Sequence, residues 1–247
     1  MLTGKWAIVT GATRGIGKEI STILAASGAN LILQGRDENM LNDCADDIRK
    51  MGREVAVVPG DVADPATADA ALAAALALGR HPDILVNNAG MNTRSSTLDM
   101  TLADWSRVMD VNLNGTLHFC RAMLPGMIAA RAGVIVNVSS TTAKTPHRNA
   151  APAYGASKAA VNYLTMHLAQ EMAPHGIRVN AVCPGPVESD MTGQWSADYR
   201  AATLGRMPLG RLGTPRNIAD IVLFLVSDMS AFITGETINA NGGTYMN

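Results

Sequence analysis

The sequence predicts a doubly wound α/β fold, in which a seven-stranded parallel sheet carries helices on both faces. Short β-branched runs alternate with longer helical patterns along the whole chain, as strand–helix–strand units require. The strand runs are continuously apolar, which is typical of parallel strands buried on both faces. In a chain of 247 residues, a hydrophobic share of 47% is enough for a sizeable core.

The elements follow one another in a regular order. The predicted strands cover residues 7–9, 31–33, 55–58, 84–86, 134–138, 179–182 and 237–239. The predicted helices cover about 16–27, the stretch up to about 51, 65–78, about 101–130, 154 to about 172, and 216–227. Right-handed crossovers between such strands give a doubly wound sheet.

The chain shows no linker, repeat or low-complexity tract, so we predict a single domain over residues 1–247. The longest segment without a strong pattern, about 185–209, follows a strand end, where ligands bind in open parallel sheets. We therefore expect residues 189–210 to form a substrate lid loop. Trp195 in this segment is either an anchor over an apolar substrate or a residue that packs the loop itself.

Charge and cysteine content narrow the class of partner. The 20 basic and 21 acidic residues give a net charge of −1, so no electrostatic footprint for nucleic acid or anionic lipid exists. Cys44, Cys120 and Cys183 are scattered, which favours neither disulfides nor a metal site. The start of the chain lacks a signal-peptide pattern, and the apolar run 221–226 is too short for a membrane span. We expect a cytoplasmic protein with a small-molecule partner.

A glycine-rich turn joins the first strand to the first helix. It reads Thr10-Gly11-Ala12-Thr13-Arg14-Gly15-Ile16-Gly17. Glycines let the backbone approach a pyrophosphate, and the helix N-terminus offers free N–H groups and a positive dipole end. A tight turn without a ligand is the alternative. The turn residues expected to contact a dinucleotide are Gly11, Thr13, Arg14, Gly15, Ile16 and Gly17.

The end of the second strand bears on cofactor choice. A carboxylate there holds the ribose 2′-hydroxyl of NAD, whereas a nearby arginine accepts the 2′-phosphate of NADP. Here Gly35 occupies the expected carboxylate position and Arg36 follows it. Arg14 in the glycine turn adds a second guanidinium, so NADP(H) is favoured over NAD(H). Asp37, one residue further on, leaves NAD(H) as the alternative.

A tyrosine and a lysine open the helix after the fifth strand. Tyr154 and Lys158 are four residues apart and therefore share one helical face. A nearby ammonium, together with an oxidised nicotinamide, lowers the pKa of a tyrosine so that it can exchange a proton with an alcohol oxygen. The preceding strand delivers Ser140 to the same sheet edge, where its hydroxyl can bond a developing alkoxide.

The ordered set of motifs resembles the short-chain dehydrogenase/reductase family, in its single-domain branch of Rossmann-fold enzymes. The resemblance covers essentially the whole chain. Its motifs are Thr10-Gly11-x-x-x-Gly15-Ile16-Gly17, Asp61-Val62, Asn87-Asn88-Ala89-Gly90, Asn112, Ser140, Tyr154-x-x-x-Lys158, Pro184-Gly185 and Asn241-Gly242-Gly243.

The resemblance implies a hydride transfer between a nicotinamide and a carbonyl or secondary alcohol. It implies that Tyr154 is the general acid/base, that Lys158 lowers its pKa and binds the nicotinamide ribose, and that Ser140 orients the carbonyl. Asn112 is expected to hold a water of the proton relay. The further cofactor contacts implied are Asp61 and Val62 at the adenine, Asn88, Ala89 and Gly90 at the adenosine ribose, and Pro184, Gly185, Val187 and Ser189 near the nicotinamide and phosphates.

One spacing departs from the family pattern. Thirteen residues usually separate the catalytic serine and tyrosine positions, but Ser140 lies fourteen before Tyr154, and Thr141 lies thirteen before it. A one-residue insertion in the loop 145–149 explains the difference, and Thr141 as the hydroxyl donor is the rival interpretation.

The substrate is open at this point. The C-terminal motifs are similar to those of 3-oxoacyl-acyl-carrier-protein reductases, but His175 stands where those enzymes tend to place an arginine. A sugar, polyol or other small-alcohol dehydrogenase is the alternative, and a non-catalytic nucleotide-binding protein is the alternative from another class. His147 and Arg148 either contact an acidic substrate group or belong to a solvated loop. The resemblance also implies a homotetramer.

Overall fold

The structure is a computed structural model that describes residues 1–246, with the side chains of residues 190 and 191 left aside. Asn247, the last residue of the predicted domain, lies outside the described residues. The strands are β1 (Trp6–Thr10), β2 (Asn30–Gly35), β3 (Val55–Pro59), β4 (Ile84–Asn87), β5 (Gly133–Val138), β6 (Ile177–Pro184) and β7 (Thr237–Ala240). The helices are α1 (Gly15–Ala26), α2 (Glu38–Lys50), α3 (Pro65–Ala77), α4 (Leu102–Met109), α5 (Gly115–Ala130), α6 (Pro152–Met172), α7 (Asp190–Gly193), α8 (Ala197–Leu204) and α9 (Pro215–Val226).

The seven strands form one sheet in the order β3-β2-β1-β4-β5-β6-β7. Every neighbouring pair is parallel. The chain order reverses between β1 and β4, and this switch point opens the crevice in which doubly wound sheets bind ligands. The predicted fold class is confirmed.

Two helical layers enclose the sheet. In β1, Ala7 and Val9 join a core with residues of α1, α2 and α9, whereas Ile8 joins a second core with residues of α3, α5 and α6. Successive side chains of a strand point to opposite faces, so a continuously apolar strand is buried on both sides. None of the helices in residues 1–246 is both long and apolar enough to cross a bilayer.

Two segments differ from the sequence-based expectation. The predicted helix 101–130 contains a π-helical turn, Asp110–Asn114, between α4 and α5. The expected lid loop 189–210 contains the short helices α7 and α8. Ser189 and Ser196 cap these helices by accepting hydrogen bonds from backbone N–H groups. A helix of four to eight residues is too short to show a clear hydrophobic period, so the sequence did not reveal it.

Candidate active site

A cavity of about 300 Å³ lies where β1, β4, β5 and β6 end. Its inner wall carries polar side chains of three of the predicted motifs. These inner residues are Asn88, Ser139, Ser140, Thr141, Tyr154 and Lys158. The cavity is also lined by Asn92, Arg94, His147, Asn149 and Trp195, which are at least partly exposed and form its mouth, and by the buried Thr192.

The glycine turn is held in a conformation that other residues would not tolerate. Gly11 and Gly15 have φ values of +64° and +54°. A Cβ on Gly17 would lie 2.1 Å from the carbonyl oxygen of Gly11, so α1 approaches the turn too closely for a side chain. Asn88 fixes the turn from β4, because its Nδ2 donates to the carbonyls of Thr10 at 2.9 Å and Gly11 at 3.1 Å.

The N-terminus of α1 is suited to an anion. Its N-cap residue, Arg14, makes no side-chain capping bond, so the N–H groups of the first turn are left for another acceptor. Ile16, in this first turn, lines the same cavity as Tyr154. The turn, the helix end and the cavity are therefore continuous, and they fit an extended dinucleotide.

Asp61 follows β3 at the predicted adenine end. Partial burial would raise the pKa of Asp61, but the N–H of Ala63, at 3.0 Å, and the guanidinium of Arg107 stabilise the carboxylate and leave the pKa below its usual value. Arg36 contributes to the same lowering of the pKa. Asp61 is thus ionised and fixed in place, and the adjacent Val62 is buried.

Arg36 and Asp37, which directly follow β2, differ in their contacts. A Cβ on Gly35 would lie 2.8 Å from Cγ2 of Thr13, so the room that the sequence suggested at Gly35 is partly filled by Thr13. The carboxylate of Asp37 accepts a hydrogen bond from the N–H of Met40 at 3.0 Å and caps α2. Arg36 is exposed beside the crevice.

Tyr154 and Ser140 meet at the inner wall of the cavity. Hydrogen bonding from Ser140 acts on the Tyr154 phenol, while the Ser140 hydroxyl donates to Thr142 Oγ1 at 3.1 Å. Burial raises the pKa of Tyr154, and the bond to Ser140 offsets this rise only in part. The Ser140 hydroxyl also accepts a hydrogen bond from the N–H of Thr142 at 3.1 Å, which fixes it at the end of β5. The pair is a protonated phenol beside a fixed hydroxyl.

Lys158 is buried behind Tyr154. Its Nζ donates to the carbonyl oxygen of Val138 at 2.8 Å and lies 5.9 Å from the centre of the Tyr154 ring. Burial lowers the pKa of Lys158 to about 8. The sequence led us to expect that Lys158 lowers the pKa of Tyr154. In the structure, the effect of burial on the Tyr154 phenol is larger, and the pKa of Tyr154 is raised.

Asn112 lies in the π-helical turn and is fully buried. Its Oδ1 accepts from the N–H of Met91 at 2.8 Å, and its Nδ2 donates to the Met91 carbonyl and to Ser157 Oγ, each at 3.0 Å. These bonds hold the Gly90–Met91 segment beside α6. A Cβ on Gly90 would lie 3.3 Å from Nζ of Lys158. The predicted Asn112 and Lys158 are therefore brought together around Gly90.

The other hydroxyls near Ser140 have separate partners. Thr141 Oγ1 donates to the carbonyl of Pro184 at 3.3 Å, and Ser139 Oγ donates to the carbonyl of Lys158 at 3.2 Å. Ser140 is the one of the three with a bond to Tyr154 in this structure.

The segment after β6 closes the cavity. Pro184, Gly185, Val187 and Ser189, the residues expected near the nicotinamide and phosphates, line it. Val187 pairs with Gly213 in an isolated parallel bridge, whose bonds use the carbonyl of Pro186 and the N–H of Glu188. The N–H and carbonyl of Val187 itself therefore point away from Gly213.

Sequence reasoning missed Asn92 and Arg94 at the cavity mouth, since neither belongs to a motif. His175, which stands where the 3-oxoacyl-acyl-carrier-protein reductases tend to place an arginine, and the nearby Arg131 lie away from this cavity. These residues precede β5 and β6, at the amino ends of the strands, whereas the cavity lies at the carboxyl ends. Arg131 donates to the carbonyl of Pro174 at 2.9 Å.

Comparison with known proteins decides the family. A family model described as enoyl-(acyl carrier protein) reductase matches residues 11–245. The chain is 41% identical over 245 residues to the 3-oxoacyl-[acyl-carrier-protein] reductase FabG of Vibrio cholerae serotype O1, covering 99% of each chain. The chain belongs to the short-chain dehydrogenase/reductase family. As a member it is an NAD(P)-dependent oxidoreductase that acts on CH–OH groups.

Solved structures of family members agree with this assignment. The 3-oxoacyl-[acyl-carrier protein] reductase of Brucella melitensis ATCC 23457 superposes with a TM-score of 0.95 at 34% identity, covering 100% of this chain and 93% of that chain. A Brucella melitensis 3-oxoacyl-[acyl-carrier protein] reductase with bound NAD gives 0.93 at 34% identity, with 99% and 92% covered. A putative gluconate dehydrogenase of Agrobacterium tumefaciens gives 0.94 at 31% identity, with 98% and 96% covered.

Proposed function

We propose that this short-chain dehydrogenase/reductase moves a hydride between NADP(H) and a carbonyl or secondary alcohol, with Tyr154 as the general acid/base. One observation carries the proposal: Ser140, Tyr154 and Lys158 line a single cavity that is continuous with the glycine turn at α1. Asn112 supports this set through Ser157 and Met91. A bound nicotinamide would supply or accept the hydride at the carbonyl carbon.

In the reductive direction, residues of the chain transfer the proton to the substrate. The raised pKa of Tyr154 keeps its phenol protonated, so it can give a proton to the carbonyl oxygen as negative charge develops there. Ser140 donates a hydrogen bond to the same oxygen and orients the carbonyl. The ammonium of Lys158, held by Val138, favours the tyrosinate left behind until solvent returns the proton.

The cofactor contacts proposed for this chain are those of the motifs. Gly11, Thr13, Arg14, Gly15, Ile16 and Gly17 surround the phosphates, Asp61, Val62, Asn88, Ala89 and Gly90 the adenosine, and Pro184, Gly185, Val187 and Ser189 the nicotinamide side. Tyr154 and Lys158 contact the nicotinamide ribose.

The proposed preference for NADP(H) rests on Arg36. This guanidinium is exposed at the end of β2, whereas Asp37 already caps α2 and is less available to a ribose hydroxyl. Arg14, at the entrance of α1, is the second candidate for the 2′-phosphate. The bound NAD in the Brucella melitensis relative keeps NAD(H) as the alternative cofactor.

For the substrate we propose a 3-oxoacyl thioester, because the similar enzymes of Vibrio cholerae and Brucella melitensis carry that name. The second candidate is a sugar, polyol or other small alcohol. The likeness to the putative gluconate dehydrogenase favours it, as does His175, which stands where the carrier-protein enzymes tend to place an arginine.

We also propose a cytoplasmic homotetramer built of single-domain chains. A cleft between α5 and α6 supports the assembly, since apolar side chains line it. Tyr163 and Met166 on α6 are 66% and 48% exposed, and a second copy of the chain would cover them. Light scattering after size-exclusion chromatography tests the mass in solution.

The test of the proposed function is reduction of acetoacetyl thioesters, ketoses and cyclic ketones with NADPH and with NADH. Tyr154→Phe should lower turnover by at least ~1,000-fold, because the phenol proton is lost while ring packing is kept. Its affinity for NADPH, measured by fluorescence, should stay within about threefold of the parent value. Retained turnover in Tyr154→Phe would remove Tyr154 from the proposed role.

A further inference from the structure

The mouth of the cavity is formed by two loops that are far apart in sequence and are hydrogen-bonded to each other. Asn92 joins them: its Nδ2 donates to the carbonyl of Asn149 at 2.9 Å, and its Oδ1 accepts from the N–H of Ala151 at 3.0 Å. The same Oδ1 accepts from the N–H of Arg94 at 3.3 Å. The loop after β4 and the loop before α6 are thereby fixed side by side, with Arg94 and His147 lining one cavity.

Arg94 has an unusual backbone conformation. Its φ is +60°, in the left-handed region that favours glycine, and Arg131 is the only other non-glycine residue among positions 1–246 with a positive φ. A side chain retained at such a position carries a conformational cost, which is typical of functional sites. Here the retained side chain is a guanidinium at the mouth of the cavity.

The charges around this mouth are unbalanced. Within the described part of the chain, no hydrogen bond or ion pair engages the guanidinium of Arg94. The nearby acid Glu188 is paired with Arg200 at 2.8 Å. The guanidinium of Arg206 lies close enough to His147 to act on its ring electrostatically. An anionic group entering the mouth would therefore meet the guanidinium of Arg94 without displacing an acid, and the positive charge of Arg206 acts on the neighbouring His147.

His147 adds a neutral donor to these cations. Burial, and secondly the charge of Arg206, lower the pKa of His147, so the ring is neutral at neutral pH. Its Nδ1 accepts a hydrogen bond from the N–H of Asn149 at 3.3 Å. The ring hydrogen is therefore on Nε2, which is left as a donor.

We propose that Arg94, with His147 beside it, binds a carboxylate of the substrate, so that the enzyme acts on small oxo acids and on the corresponding hydroxy acids. The proposal rests on the function proposed above, since Tyr154 and Ser140 would serve the reacting carbonyl, and it selects the second substrate candidate, a small alcohol, over the 3-oxoacyl thioester. The cavity supports a small acid, because Arg94 and Tyr154 line the same space of about 300 Å³ and one small molecule could contact both. The phosphate of a pantetheine arm is too far from its thioester to meet both.

The experiment compares acids with their methyl esters, which lack the charge and add one methyl group. Reduction of acetoacetate and of 4-oxopentanoate is measured beside reduction of their methyl esters, in the parent enzyme, Arg94→Met, Arg94→Lys and the control Arg80→Met. Arg80 is an exposed arginine before β4, at the opposite edge of the sheet. In Arg94→Met, kcat/KM for at least one acid should fall by about 30-fold, because a charge-assisted bidentate pair is lost, while its ester changes by less than about threefold.

Arg94→Lys should retain part of the acid activity, and Arg80→Met should change neither acid nor ester. Equal losses for acid and ester in Arg94→Met would overturn the carboxylate subsite. Turnover of esters or thioesters by the parent enzyme, with no activity on either acid, would overturn it as well. If no carbonyl compound is reduced, the proposed function itself fails. Calorimetric titration of the NADP⁺-loaded enzyme with 4-oxopentanoate then tests the carboxylate subsite independently of catalysis. The subsite requires that 4-oxopentanoate binds to the parent enzyme and binds more weakly to Arg94→Met.

Discussion

Lys158 donates a hydrogen bond from its buried Nζ to the carbonyl oxygen of Val138, the last residue of β5, at 2.8 Å. Ser140 follows two residues later, so one bond ties the lysine of α6 to the strand that delivers the serine. The bond orients the ammonium, and burial at the same time lowers the pKa of Lys158 from 10.5 to about 8.

Carbonyl reduction should therefore lose rate above about pH 8. Burial disfavours the ammonium, so Lys158 becomes neutral in the folded enzyme at a pH where a free lysine is still charged. Below pH 8 the ammonium is present and supports the tyrosinate formed at Tyr154; above it this support is lost. We expect kcat/KM at saturating NADPH to fall through an apparent pKa near 8. In Lys158→Arg, whatever activity remains should lack this limb, because arginine stays protonated.

The same group links pH to stability. Between pH 8 and 10.5 the unfolded chain holds a proton on Lys158 that the folded chain has released, so the contribution of Lys158 to the free energy of unfolding rises with pH across this range. Lys158→Met should flatten that part of the pH dependence, measured by urea unfolding. An unchanged slope in this variant would contradict the assigned pKa.

Ser140 and Thr141 can be told apart by single substitutions. Ser140 is bonded to Tyr154, whereas the Thr141 hydroxyl donates to Pro184. Ser140→Ala should lower kcat by about 100-fold or more, because a donor to the developing alkoxide is lost. Thr141→Ala should lower it by less than about fivefold, the scale of an ordinary neutral hydrogen bond. The reverse ranking would make Thr141 the hydroxyl donor.

Arg36 should select the cofactor. Arg36→Ala is expected to weaken NADPH binding by about 10-fold to 100-fold and NADH binding by less than about threefold, because the 2′-phosphate is present only in NADPH. Fluorescence titration of both nucleotides gives the two dissociation constants. Arg80→Ala, with the same loss of charge away from the crevice, should change neither. Equal weakening of NADPH and NADH in Arg36→Ala would remove the argument for NADP(H).

Gly17 should be irreplaceable in the glycine turn. The Cβ of Gly17→Ala would lie 2.1 Å from the backbone oxygen of Gly11, and a backbone atom cannot rotate out of the way. We expect a loss of stability of about 2 kcal/mol or more and loss of NADPH binding. Gly205→Ala is the matched control, since Gly205 has an ordinary helical conformation and a Cβ there meets its first neighbour at 3.5 Å. A folded Gly17→Ala variant with normal affinity for NADPH would show that the turn can move.

The sequence by itself determined the sheet and the motif residues. Strands such as β1 and β4 are almost entirely apolar because both of their faces are buried, so their runs were visible without a structure. The residues that follow such strands share one sheet edge in any parallel sheet, which is why Gly11, Asn88 and Ser140 could be placed together in advance.

Only the tertiary structure decided how these groups are bonded and what surrounds them. Asn92 meets Asn149 across 57 residues of chain, and Lys158 meets Val138 across 20. No local pattern encodes such contacts, because they depend on how loops and helices pack once the sheet has formed. The same holds for pKa values: burial is a property of the assembled core, and it raises the pKa of Tyr154 where the neighbouring Lys158 alone suggested a lowering. The left-handed backbone of Arg94 is likewise set by its bond to Asn92 within the packed loop, and not by a signal in its own sequence.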